Sequence, residues 1–146
     1  RIMATVERTI SINAPVEKVF DYISDATNEP EYLPSQVEAE YVTRTEEGVG
    51  SRYRWVYKLL GIRFEGESTC TEYVRNERIV TETKGGIVST WTYTFEPENG
   101  GTKLTLVVDY TIPIPVLGRF AEALVLRQNE READLAMANL KAIMEA

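Results

Sequence analysis

Residues 9–35 read TISINAPVEKVFDYISDATNEPEYLPS, and within these 27 residues the hydrophobic period changes twice. Up to Asn13 the pattern alternates: Val6, Ile10 and Ile12 share one face and Glu7, Thr9 and Ser11 the other, which describes a half-buried strand over 4–13. Pro15 suits the first turn of a helix, where its missing N–H costs nothing. Val16, Val19, Phe20 and Ile23 then recur at helical spacing to about Ser24. Pro30 and Pro34 break up the next stretch, so 25–35 reads as a loop or one further short helical turn.

After this helical interruption the chain turns to strands. Candidate strands are 36–46, 51–60, 62–74, 78–84, 87–96 and 102–112. Gly48-Val49-Gly50, Gly61, Asn76-Glu77, Gly85-Gly86 and Asn99-Gly100-Gly101 separate them, and links this short predict an antiparallel meander. Beyond Pro115 the period returns to helical, and 116–145 can form one helix about 45 Å long at 1.5 Å per residue. The order strand, short helices, six strands, long helix is an α+β domain with one layer of sheet and one of helix. No repeat or linker interrupts it, so 1–146 is expected to be one domain.

Alternation sorts the strand side chains. Tyr53, Trp55, Tyr57 and Leu59 share a face, as do Trp91, Tyr93 and Phe95, with Thr90, Thr92 and Thr94 opposite. Leu104, Leu106, Val108 and Tyr110 are expected to complete the inner set, with Val37, Ala39 and Tyr41. Between Ile62 and Glu72, Phe64, Gly66, Ser68 and Cys70 are assigned inward. Such a face is either plain core or the wall of a cavity; buried tyrosine hydroxyls want partners, which makes it wetter than an aliphatic core requires.

On the long helix Arg119, Arg127, Glu130, Asp134, Lys141 and Glu145 fall together as the expected solvent face. The opposite stripe is Ala121, Val125, Gln128, Glu132, Ala136, Asn139 and Ile143, apolar at its ends and polar in the middle. An inward carboxylate is costly unless paired or hydrated. Gln128 and Glu132 therefore either belong to a structural network, lie at the edge of a rotated helix, or face a ligand together with Leu124. Meander geometry also gathers the apolar tips, carrying Leu60, Ile62, Ile87, Ile114 and Leu117, at one end of the sheet. They are read as a cavity entrance, with mutual packing or a homodimer contact as the other readings.

Composition excludes several chemistries. There is no histidine, so neither a Ser-His-Asp system nor an ordinary zinc site can be built, and no metal or other cofactor is expected. A net charge of −7 without a basic stripe disfavours nucleic acid. The apolar runs are too short to span a membrane, and RIMATVERTI has no apolar signal core. With Cys70 the single cysteine, a reducing cytoplasm is the expected setting.

The segment 9–35 resembles the strand–APxExV(F/W)–helix entry of the START-like, or SRPBCC, superfamily, in its polyketide cyclase/dehydrase-like branch. WTYTFEPENGGTKLTLVVDY, residues 91–110, resembles the penultimate hairpin of that family, and a long terminal helix comes after it. The resemblance covers nearly the whole chain. It implies a helix-grip fold: a curved seven-stranded antiparallel sheet wrapped around the long helix, a cavity between them, and two short helices between strands 1 and 2 that plug one end. It further implies binding of lipids, sterols, quinones or polyketides, or cyclisation and dehydration by polar groups in the cavity. The Cys/His ligands of the Rieske and iron-binding relatives are absent.

Three functions are expected on this basis. The first is binding or transport of a hydrophobic small molecule (lipid, isoprenoid, quinone or polyketide), held by Tyr53, Trp55, Tyr57, Phe64, Trp91, Tyr93, Tyr110, Leu124, Gln128 and Glu132. The second is a cyclase or dehydratase with Glu132 as candidate base. The third is a module that docks on a protein or membrane through its apolar tips.

Overall fold

The computed structural model describes residues 2–59, 61–85, 88–112 and 118–146. Its elements are β1 (Ile2–Ile12), α1 (Val16–Ser24), a 3-10 turn (Ala26–Asn28), α2 (Glu29–Tyr32), β2 (Gln36–Thr43), β3 (Arg52–Leu59), β4 (Ile62–Val74), β5 (Arg78–Lys84), β6 (Val88–Glu98), β7 (Gly101–Ile112) and α3 (Gly118–Glu145). All seven strands form one antiparallel sheet in the order β1-β7-β6-β5-β4-β3-β2. Strands β2 to β7 thus meander, and β1 joins outside β7, with Ile12 opposite Thr102 and Ala4 opposite Tyr110. This is the helix-grip architecture, with α1 and α2 as the two short helices between the first two strands.

The turns follow from local chemistry. Asn76 and Asn99 hold φ values of 63° and 50°, a left-handed conformation that asparagine tolerates better than most side chains.

Pro15 stands just outside α1 as its N-cap, extended at ψ 151°, and its carbonyl accepts from the amides of Lys18 and Val19. Val19, Phe20 and Ile23 form the buried face of the helix. Phe20 meets Tyr73 and Phe95 edge-on at centroid distances of 5.2 and 5.1 Å, which closes one end of the core. Full burial of such a ring contributes about 1.5–3 kcal/mol. The Asp25 carboxylate then accepts from the Thr27 amide, starting the 3-10 turn.

The long helix is rotated from the orientation expected of it. Among its described side chains the most buried are Glu132, Ala133, Ala136, Met137, Leu140 and Met144, whereas Val125, Gln128, Asn139 and Ile143 are only half-buried. The neighbouring flank of the helix is tied to the first strand and its exit. Asp134 pairs with Arg8 at 2.5 Å, Lys141 donates to the Ser11 carbonyl, and the Asn13 amide donates to Glu145. Three positions expected to face only solvent are therefore a seam along β1.

The inner faces of β3, β6 and β7 are as the alternation predicts, with Thr90, Thr92 and Thr94 on the opposite side from the buried Tyr93 and Phe95. Val37 is a correction. The register of β2 against β3 shifts between Gln36 and Glu38, so Gln36 turns inward and Val37 stands 44% exposed.

Candidate functional site

A cavity opens between the sheet and the middle of α3, and each strand supplies a different kind of wall. From β3 come Tyr53, Trp55 and Tyr57. Gly66 on β4 is what lets Trp55 lie flat on the sheet, since a Cβ there would overlap both the indole and the Lys84 carbonyl. The Trp55 indole N–H donates to Ser68 Oγ at 3.0 Å. On β6 the Trp91 N–H donates to Ser89 Oγ at 3.0 Å, and the Ser89 amide donates to Thr83 Oγ1. Both indoles thus satisfy their polar edge within the wall and leave ring surface for the cavity.

Val6, Leu106 and Val108 form an aliphatic floor under this surface. Tyr110 lies at its side, 4% exposed, and its hydroxyl is buried without a well-formed hydrogen bond, the Asn129 side chain lying next to it.

Among the described residues two carboxylates reach the cavity, and they are held differently. Glu132 on α3 is 5% exposed, and Ser35 supplies both its partners: the amide at 2.6 Å to Oε1 and the hydroxyl at 2.9 Å to Oε2. Glu29 opens α2. Its Oε2 accepts from the Tyr53 hydroxyl at 2.8 Å and its Oε1 from Gln36 Nε2 at 2.6 Å. Burial pushes the Glu29 carboxyl up to about 7, opposed by these two hydrogen bonds. Burial, reinforced by the Glu29 charge, drives the Tyr53 hydroxyl well above its ordinary range, and burial followed by the Glu132 charge does the same for Tyr57. These phenols stay protonated at neutral pH, so they donate and accept hydrogen bonds but do not act as bases.

Glu29 and Tyr53 also border a second, more polar cavity on the side of α1, where Tyr41, Arg44, Thr45, Cys70 and Tyr93 lie. The Glu29–Tyr53 hydrogen bond is therefore a partition between two spaces.

The sequence-predicted residues distribute unevenly over this geometry. Tyr53, Trp55, Tyr57, Trp91, Tyr110 and Glu132 come together around the first cavity. Tyr93 faces the second and meets the Tyr32 hydroxyl at 3.2 Å. Phe64 packs beside Tyr53 and Trp55 without reaching the wall. Leu124 is 39% exposed and Gln128 half-buried, and neither lines the space; the rotation of α3 brings Asn129 there instead. Ile62 stands 59% exposed in the β3–β4 hairpin, while Leu60, Ile87, Ile114 and Leu117 lie outside the described residues.

Sequence reasoning missed Glu29, Ser35, Gln36 and Asn129. One signal could have found Glu29. Ala26, Glu29 and Leu33 succeed one another at steps of three and four, which sets the acid on one helical face between two buried apolar residues. Among the described residues no group of three or more His, Cys, Asp or Glu side chains could hold a metal ion, and no helix is long and apolar enough to cross a membrane.

Comparison with known proteins agrees with this architecture. Among solved structures the chain is similar to a protein from Thermus thermophilus, at 24% identity and a TM-score of 0.84 over 95% of both chains. It is similar to the Zhui aromatase/cyclase from a Streptomyces species at 15% identity and a TM-score of 0.84, over 99% of this chain and 94% of that one. A START superfamily protein from Mycobacterium smegmatis matches at 18% identity and a TM-score of 0.77, over 95% and 98%. No match to a curated protein was found. The model of the family described as polyketide cyclase/dehydrase and lipid transport matches residues 3–145. The chain belongs to that family, within the START-like (SRPBCC) superfamily.

Proposed function

We propose that this protein binds a hydrophobic small molecule in the cavity between the sheet and α3 and carries it without transforming it. The observation that carries this reading is the Tyr110 hydroxyl, buried beside Val6, Leu106 and Val108 in the cavity wall with no well-formed hydrogen bond. A buried polar group without a partner costs free energy, and a ligand oxygen at that point removes the cost. The indole faces of Trp55 and Trp91 supply the apolar surface. Native mass spectrometry of the protein as purified, followed by solvent extraction, tests it. Release of a lipid-, quinone- or polyketide-like mass supports the reading, and an empty protein that also fails to take up apolar probes rejects it.

One observation favours a second reading, a cyclase or dehydratase-like enzyme. The Glu29 carboxyl, titrating at about 7 beside the Tyr53 hydroxyl, suits general acid–base work near neutral pH. Both oxygens of Glu132, the acid expected from the sequence, are already engaged by Ser35. Turnover of a polyketide-like ketone, abolished in Glu29→Gln while binding persists, would favour the enzyme over the carrier.

A further inference from the structure

The charges around the cavity narrow what it can hold. Among the described residues that line it there is no lysine or arginine, while Glu29 and Glu132 both face it. Arg44 borders the second cavity instead, where it stacks on the Tyr41 ring at 4.7 Å and lies 4.0 Å from Asp25. Helix polarity does not replace the missing cation. Asn129 sits eleven residues into α3, about 16 Å from its start, whereas the positive end of a helix acts within the first turn. What the wall does offer is neutral: the Tyr110 hydroxyl, the Asn129 amide and the Tyr57 hydroxyl.

Building on the ligand-binding reading above, we infer that the cavity selects an uncharged amphiphile whose single polar group is a hydroxyl or carbonyl, and rejects carboxylates and phosphates. An anion entering would lose its hydration without gaining a counter-charge, and would approach two carboxylates. A neutral hydroxyl loses little and offers Tyr110 a better-aligned partner than the neighbouring Asn129 side chain. Fatty acids and phospholipids are thereby excluded, whereas phenols, alcohols and ketones of the same apolar bulk are admitted.

Isothermal titration of 2-naphthol, 2-naphthoate and 2-naphthylmethylammonium at pH 8 tests this, because the three share one apolar body and differ in charge. The expected result is binding of naphthol, with naphthoate weaker by on the order of a hundredfold. Tyr110→Phe should weaken naphthol by about five- to tenfold and leave naphthoate unchanged. Glu29→Gln, which keeps the shape of the side chain, should strengthen naphthoate. Naphthoate binding within about threefold of naphthol overturns the selectivity but leaves a hydrophobic binding site intact. Tighter binding of the ammonium than of naphthol overturns it in favour of a cation site. Failure of all three probes overturns the ligand-binding reading, and the selectivity with it.

Discussion

The Tyr53 hydroxyl donates to Glu29 Oε2 across 2.8 Å, joining the inner face of the sheet to a helix of only four residues. The same carboxyl takes a second donor from Gln36, so its position is fixed from two sides. What the two hydrogen bonds do not offset is the loss of water, and that loss gives the protein a pH-dependent stability.

The sign is set by the direction of the shift. Glu29 holds its proton more tightly in the folded protein, at about 7, than the ordinary value of 4.5. Below pH 4.5 the group costs nothing; as pH rises towards 7 it destabilises the fold progressively, and above 7 the full cost of about 3 kcal/mol is present. Glu29→Gln should therefore match the wild type near pH 4.5 and exceed it by up to about 3 kcal/mol at pH 8. Urea midpoints of both proteins at these two pH values decide the matter, and an equal gap at both would sink it.

Glu132 and Ser35 are predicted to act as one unit. Glu132→Ala leaves the Ser35 amide without its acceptor and should cost about 1–3 kcal/mol. Removing both side chains in Ser35→Ala/Glu132→Ala should cost less than the sum of the single changes, by about 0.5–2 kcal/mol. Additive losses in a denaturation series would mean that the two do not hold α3 to the segment after α2.

Gly66 is predicted to tolerate no side chain. In Gly66→Ala the new methyl meets the Trp55 indole on one side and the Lys84 carbonyl on the other, and overpacking of this kind costs about 1–3 kcal/mol. The indole must yield, breaking its hydrogen bond to Ser68. A red-shifted emission in a Trp91→Phe background would report that movement; an unchanged spectrum with unchanged stability would refute it.

Much of the fold is legible in the sequence because its strands carry two-residue alternation and are cut by Gly and Asn turns that permit little besides hairpins. Edges are harder. The inward turn of Gln36 at the cost of Val37 comes from a register shift that no residue type announces. The rotation of α3 is visible only in its contacts with Arg8 and Ser11 on β1 and with Asn13 just after it, residues far away in sequence, and a helical wheel alone has no means of choosing between Gln128 and Asn129. Glu29 escaped for another reason. Its helix spans four residues, so the spacing of Ala26, Glu29 and Leu33 is seen only across the adjoining turn, and Pro30 directly after Glu29 reads as a break, although a proline at the start of a helix is well tolerated.

The segment between α1 and β2 has a wider consequence. Glu29 comes from it, Ser35 holds Glu132 from its end, and Leu33 borders the same space. The sheet gives the cavity its size, but this stretch of about ten residues supplies one of its two acids, Glu29, and the Ser35 anchor of the other, Glu132 on α3. It is a cassette. Exchanging it would replace Glu29 and the anchor of Glu132 together while the strand pairings of the sheet stay as they are, so the polar chemistry of the cavity can change without the scaffold changing.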